Sequence, residues 1–291
     1  MASVQHWIAG ARLRTLPAAI SPVLVGTGAA AAADAVHLGK ALLALGVAVT
    51  LQIGVNYAND YSDGIRGTDD HRVGPFRLVG SGVGNASAVR LAAFLNFAAA
   101  GLIGSFLVAW SGHWWLLAVG ALAIVAAWYY TGGRQPYGYR GFGEISVFIF
   151  FGLVAVLGTT YVQANRLTLT SIVSAIAIGC LACALLVVNN LRDVHTDADS
   201  GKRTLAVLLG EHRSRLLYVC LLFLPFVIVA TLAGSGRPWT ALAWLCAPLA
   251  VIAALPILKK AAGPKLIPVL RITGLTELAF AAFLAVGLAL S

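Results

Sequence analysis

Nine apolar stretches, each long enough to cross a bilayer, dominate this sequence. They lie near residues 16–34, 39–59, 88–110, 113–131, 143–163, 169–191, 214–234, 238–258 and 271–290. A hydrocarbon core of roughly 30 Å takes about 20 helical residues. Inside lipid, only helices or closed barrels satisfy every backbone polar group. The 291-residue chain is 59% hydrophobic and 11% charged, against roughly 25% charged in soluble domains. Its mean hydropathy is +0.87. So few charges cannot cover a water-facing surface, which excludes a soluble enzyme, a disordered chain and a disulfide scaffold. The expectation is an all-α polytopic membrane protein, with nine transmembrane helices bundled around a central cavity in one domain, residues 1–291. The first apolar run has no basic–apolar–cleavage pattern, so no cleaved signal peptide is expected.

The net charge of +9 fits basic loops on one membrane side better than nucleic acid. Seventeen of the 20 Lys and Arg residues fall at the N-terminus and in the connections after the second, fourth, sixth and eighth stretches; Lys40, Arg166 and Arg237 fall on the other side. This asymmetry places the N-terminus and the long loops, about 60–87 and 192–213, in the cytoplasm. Cys180 and Cys183 form a C-x-x-C, but only Ala and Leu separate them and no second ligand pair exists. They are read as membrane-core residues.

The chain has 11 acids, and most of them fall in two clusters. The first runs Asn56-Tyr57-Ala58-Asn59-Asp60-Tyr61-Ser62-Asp63, with Asp69 and Asp70 beyond. The second runs Asn189-Asn190-Leu191-Arg192-Asp193-Val194-His195-Thr196-Asp197-Ala198-Asp199. Asn56 and Asp60 are four residues apart, as are Asn189, Asp193 and Asp197 in turn. On a continuous helix each step drifts only about 40°, so each set would share one face. The repeated Asn-x-x-x-Asp suggests two duplicated halves facing each other, with motifs near 56–70 and 189–199. Acids at a helix C-terminus oppose the macrodipole, and Asn56 and Asn189 carry the polar face into apolar spans. Facing carboxylates about 6 Å apart repel by about 3 kcal/mol at an effective dielectric of 20, so the arrangement calls for cations. Oxygen-only ligands select hard ions, and Mg2+ pairs one or two carboxylates with substrate phosphates. Arg66, Arg72, Arg77, Lys202 and Arg203 stand near as candidate phosphate partners.

A third run, Tyr129-Tyr130-Thr131-Gly132-Gly133-Arg134-Gln135-Pro136-Tyr137-Gly138-Tyr139-Arg140-Gly141-Phe142-Gly143-Glu144, is dense in glycine and aromatics and reads as a binding loop. Glu277 is a leftover acid in the last stretch, either an interfacial residue or a polar contact within the bundle.

Together these residues resemble the UbiA superfamily of intramembrane aromatic prenyltransferases over nearly the whole chain. The menaquinone branch is the nearest likeness. That likeness rests on Asn59-Asp60-Tyr61-Ser62-Asp63-Gly64-Ile65-Arg66-Gly67-Thr68-Asp69, on Gly74-Pro75-Phe76-Arg77-Leu78-Val79 and on Tyr137 to Glu144. Many relatives carry an acid where Gly64 stands, and here Asp63 substitutes for it. The resemblance implies a polyprenyl diphosphate bound with Mg2+ between the motifs, its tail in the bilayer. Asp60, Asp63, Asp193 and Asp197 would hold the metal, with Asn56, Asn59 and Asn189 beside them. Lys202, Arg66, Arg77 and Arg203 would meet the diphosphate, and Arg134, Tyr139 or Arg140 would steer the carboxylate of a 1,4-dihydroxy-2-naphthoate acceptor. It also implies a bacterial inner membrane location. Two other classes stay open on the residues alone. A secondary transporter places its acids at the midplane, whereas these lie at one face. An alcohol phosphatidyltransferase carries its acids in one run, whereas here they are divided between two.

Overall fold

The structure is a computed structural model describing residues 2–67 and 76–291. Asp69, Asp70 and Arg72 therefore lie outside the described residues. Among the described residues there is no strand. The helices are α1 Val4–Ala11, α2 Pro17–Ala31, α3 Leu38–Gly64, α4 Ala86–Ser111, α5 Leu116–Tyr129, α6 Gly143–Ala164, α7 Leu169–Arg192, α8 Val194–Asp199, α9 Leu205–Gly234, α10 Pro238–Leu258 and α11 Gly263–Ala289. Each of the nine expected stretches falls on a helix. Seven of the described helices are long and apolar enough to cross a membrane, or eight if the pair Val4–Thr15 and Pro17–Ala31, bent by 47°, is one span. The remaining stretch is α5, with 14 residues.

The apolar runs form helices because lipid offers no partner for a bare amide. Burial is uneven. In α7, 72% of the apolar window is inside the molecule, against 22% in α3. Around α7, Ile178, Leu181 and Leu191 pack with Tyr218 and Phe226 of α9, Ile257 of α10 and Phe280 and Leu284 of α11. A smaller cluster joins Tyr57 and Ala58 of α3 to Leu78 and to Val89, Ala93 and Phe97 of α4. Glycines allow backbones to meet where helices cross. A Cβ on Gly152 would lie 2.6 Å from the Cα of Gly179. The same stretch of α6, Phe148–Val154, is wound as a π-helix.

The structure departs from expectation in three places. α1 precedes the first apolar run, started by a Ser3–His6 capping box, and packs under α3 through a bond from the Tyr57 hydroxyl to the Trp7 carbonyl (2.8 Å). The second motif is not one helix face. α7 ends at Arg192, Asp193 sits at φ −98°, ψ 10°, and α8 begins anew at Val194. The connection 192–213 is mostly helical, with α9 beginning at Leu205 and kinked at Gly210 (φ 74°).

Candidate active site

A cavity of about 810 Å³ opens among α2 to α7 and α11. Its walls are mostly Ala, Leu, Val, Gly and Phe, with fewer polar side chains among them. Asn56 and Asn59 of α3 and Asn189 and Arg192 of α7 line it, whereas Asp60, Asp63, Asp193 and Asp197 are not among its lining residues. Both motifs thus deliver side chains to one apolar chamber.

The four expected metal carboxylates are all buried, and each has donors from the protein itself. Asp60 accepts the backbone N–H groups of Leu78 (2.7 Å) and Val79 (3.0 Å), so it folds the loop after α3 back onto the helix. Asp63 accepts from Arg77 Nη2 (3.2 Å) and from the Tyr139 hydroxyl (2.6 Å). Asp193 is clasped by both arms of Arg192, Nε at 2.7 Å and Nη2 at 2.5 Å. Asp197 lies 3.5 Å from Lys202 Nζ. A fork on a carboxylate in a dry setting is a strong, geometrically specific pair. The repulsion expected between facing acids is therefore offset by Arg77, Arg192 and Lys202. Among the described residues, no group of three or more His, Cys, Asp or Glu is brought close enough to hold one metal ion.

The third run bridges the two motifs. Thr131 Oγ1 donates to Asn59 Oδ1 (2.8 Å), and Arg66 donates to the carbonyls of Thr131 and Gly133. The Tyr139 ring lies between two cations, 5.5 Å from the Arg66 guanidinium and 5.2 Å from Lys202 Nζ. Its carbonyl accepts the Arg203 N–H (3.0 Å). Gly201, at φ +76°, makes the turn that returns the Lys202 N–H to the Asp197 carbonyl (2.8 Å). A side chain at that φ would be strained.

Other expected residues serve different contacts. Asn56 ties α3 to the N-terminal segment, donating to the Ala11 carbonyl and Thr15 Oγ1, both at 2.9 Å. Arg134 and Arg140 are exposed outside the cavity lining, and Arg140 bonds Gln135. Arg203 reaches the site through its backbone. Sequence reasoning counted Arg192 only among loop cations and assigned nothing to Thr131. A bidentate pair between adjacent residues leaves no spacing signal. Glu277 lies within the bundle, fully buried, with neither oxygen hydrogen-bonded among the described residues.

Residues 19–289 match the UbiA prenyltransferase family. The chain belongs to that family. It is similar to the 1,4-dihydroxy-2-naphthoate octaprenyltransferase of Mycobacterium tuberculosis, 54% identical over 99% of this chain and 98% of the relative. The enzyme of the same name from Escherichia coli is 41% identical over 85% of this chain and 83% of its own. Among solved structures, a UbiA homolog from Archaeoglobus fulgidus bound to GPP and Mg2+ superposes with a TM-score of 0.70 at 15% identity, covering 98% of this chain and 100% of that one. UbiA membership makes this chain a prenyltransferase and a multi-pass membrane protein, which removes the transporter and phosphatidyltransferase alternatives.

Proposed function

We propose that this prenyltransferase moves a polyprenyl group from polyprenyl diphosphate to 1,4-dihydroxy-2-naphthoate, losing diphosphate and CO2 and giving demethylmenaquinol. The observation that carries the reading is the likeness, over 99% of the chain, to a relative named for that acceptor. The apolar cavity supports it, with Asn56, Asn59, Asn189 and Arg192 of the two motifs on its wall, because a prenyl tail needs an apolar wall and a diphosphate needs polar and charged groups beside it.

The donor set fits Mg2+. All four carboxylates offer hard oxygen, and one or two per ion suffice when phosphate oxygens complete the shell. Asp63 and Asp197 are cross-linked through Tyr139 and Lys202, with Asp60 and Asp193 on the same two motifs. Bound there, Mg2+ would supply positive charge to the leaving diphosphate. Arg77, Arg192 and Lys202 hold those carboxylates and offer donors to phosphate oxygens. The apolar walls exclude water, which would quench an allylic cation. We also propose nine crossings, counting the bent α1–α2 pair and α5, whose ends carry Trp114, Trp115 and Tyr129 as interfacial anchors. The N-terminus and the carboxylate end face the cytoplasm across the bacterial inner membrane.

The test is purified protein in lipid with a polyprenyl diphosphate, Mg2+ and either the naphthoate or a hydroxybenzoate. Prenylated naphthol with CO2 release, stopped by EDTA and restored by Mg2+, is the expected result. Turnover of the benzoate alone overturns the acceptor. Turnover undiminished by EDTA overturns the metal.

A further inference from the structure

α1 lies outside both motifs, yet it is stitched to the first one. One of its faces turns inward: His6, Trp7, Gly10 and Ala11 are partly or wholly buried, whereas Val4, Gln5, Ile8 and Ala9 are exposed. Residues three and four apart are neighbours on a helix surface, so the buried ones form one stripe. α3 ties this stripe down about one turn before the acids. Asn56 Nδ2 donates to the Ala11 carbonyl (2.9 Å), and the Tyr57 hydroxyl donates to the Trp7 carbonyl (2.8 Å). The Trp7 and Tyr57 rings also pack edge to face, 5.7 Å between centroids.

What α1 covers is residues 76–79, which belong to no helix. The His6 ring stacks on Phe76, 5.2 Å between centroids. Gly10 lies on Leu78, which is fully buried. A Cβ at Gly10 would stand 2.7 Å from Leu78 Cδ1 and 3.2 Å from Tyr57 Cε1, so a bare glycine is what lets the helix come this close. The same short segment carries donors for the first motif. Arg77 reaches Asp63 (3.2 Å), and the N–H groups of Leu78 and Val79 reach the two oxygens of Asp60 (2.7 and 3.0 Å). An irregular segment has no helical or sheet ladder to aim its amides, so their direction depends on how Phe76 and Leu78 are packed. Each carboxylate oxygen has more than one acceptor site, so Asp60 can hold these N–H groups and still ligate an ion, facing the way the N–H groups dictate.

We propose that α1 is a positioning element for the metal and diphosphate site: packed on Phe76 and Leu78, it fixes the donors that orient Asp60 and Asp63, and so sets the affinity of these carboxylates for their divalent ion. This rests on the reading of the two acids as metal ligands. His6 and Gly10 act through Phe76 and Leu78, and Tyr57 and Asn56 act by holding α1 in place. Groups that hydrogen-bond directly to metal ligands commonly govern metal affinity by about 10- to 100-fold. α1 stands one step further out, so its effect belongs at the lower end of that range.

The experiment measures the Mg2+ concentration that half-saturates turnover of farnesyl diphosphate and 1,4-dihydroxy-2-naphthoate by the full chain. It compares the parent with Gly10→Leu, Tyr57→Phe and Ala9→Leu. Gly10→Leu lifts α1 off Leu78. Tyr57→Phe removes the tether and keeps the ring. Ala9→Leu adds bulk on the exposed face of the same helix and is the control. Thermal melts report on folding, and hydrogen exchange at Leu78 and Val79 reports on the segment. The half-saturating Mg2+ should rise about tenfold in Gly10→Leu and about threefold in Tyr57→Phe, with faster exchange at both amides. At saturating Mg2+, kcat and the acceptor KM should stay within about twofold of the parent. Ala9→Leu should match the parent. An unchanged Mg2+ requirement in Gly10→Leu and Tyr57→Phe, with or without a lower Tm, overturns the proposal and makes α1 a prop for the fold alone. A loss of kcat that added Mg2+ does not restore overturns it too. If Gly10→Leu does not fold, Tyr57→Phe decides. If the parent turns over undiminished in EDTA, the metal reading fails and this inference falls with it, an outcome distinct from variants that match an Mg2+-dependent parent.

Discussion

The hydroxyl of Tyr139 donates to Asp63 Oδ1 at 2.6 Å, across 76 positions of sequence. The same ring is flanked by Arg66 and Lys202, so one side chain holds the first motif, the second motif and two cations together. Tyr139→Phe keeps the ring and both cation contacts but removes the charge-assisted bond, worth about 1.5–3 kcal/mol. The expected result is a loss of about 10- to 100-fold in kcat/KM for the prenyl diphosphate and a higher Mg2+ requirement. A rise confined to the acceptor KM would instead make Tyr139 an acceptor contact.

Asp60→Asn and Asp193→Asn are both expected to lose turnover, but in different ways. Asp60 accepts two backbone N–H groups with two oxygens. An amide has one oxygen and would turn its own donors toward the second N–H, leaving a buried donor unmade at a cost of about 1–3 kcal/mol. Hydrogen exchange should therefore quicken at Leu78 and Val79 in Asp60→Asn and not in Asp193→Asn. Equal protection in both variants would contradict the loop-holding role of Asp60.

Lys202→Ala should lose about 10- to 100-fold in kcat/KM for the prenyl diphosphate, with the acceptor KM nearly unchanged. Lys202 is mostly buried beside Asp197, whereas Lys259 is exposed at the end of α10. Lys259→Ala is the control and should match the parent. Equal, small effects would leave Lys202 with only a topological role.

Glu277 is expected to cost stability. It is fully buried and neither oxygen is hydrogen-bonded among the described residues. Glu277→Met fills a similar volume without a polar group, and should raise stability by about 1–3 kcal/mol with turnover unchanged. A lower Tm in detergent would reveal a partner that Glu277 needs.

Single cysteines at Ser81 or Ser200, in a background lacking Cys180, Cys183, Cys220 and Cys246, should resist an impermeant thiol reagent added to intact cells. They should react in inverted membrane vesicles. Labelling from outside would reverse the orientation inferred from the basic residues.

The helices were legible because each apolar run is long and its period is simple. The acidic motifs were legible because polar residues inside such runs are expensive. What stayed hidden depends on contacts between distant segments. Neither the hold of Asp60 on Leu78 and Val79 nor the bridge from Asp63 to Tyr139 leaves a mark in local spacing. The even four-residue steps of Asn189, Asp193 and Asp197 suggested an unbroken face, yet the backbone leaves the helix at Asp193. α1 lay within reach of a closer reading, since Ser3 and His6 form a cap and Val4, Trp7 and Ile8 follow helical spacing.

Arg77, Arg192 and Lys202 already stand on Asp63, Asp193 and Asp197, cation on anion. On the proposed reading, substrate capture at such a site would be an exchange of partners rather than an addition of charge. A diphosphate arriving with divalent ions brings both signs at once, so its phosphates can draw off the basic side chains while its metal takes over the carboxylates. The site would stay close to electroneutral throughout, and neither set of charges would have to return to water during the swap.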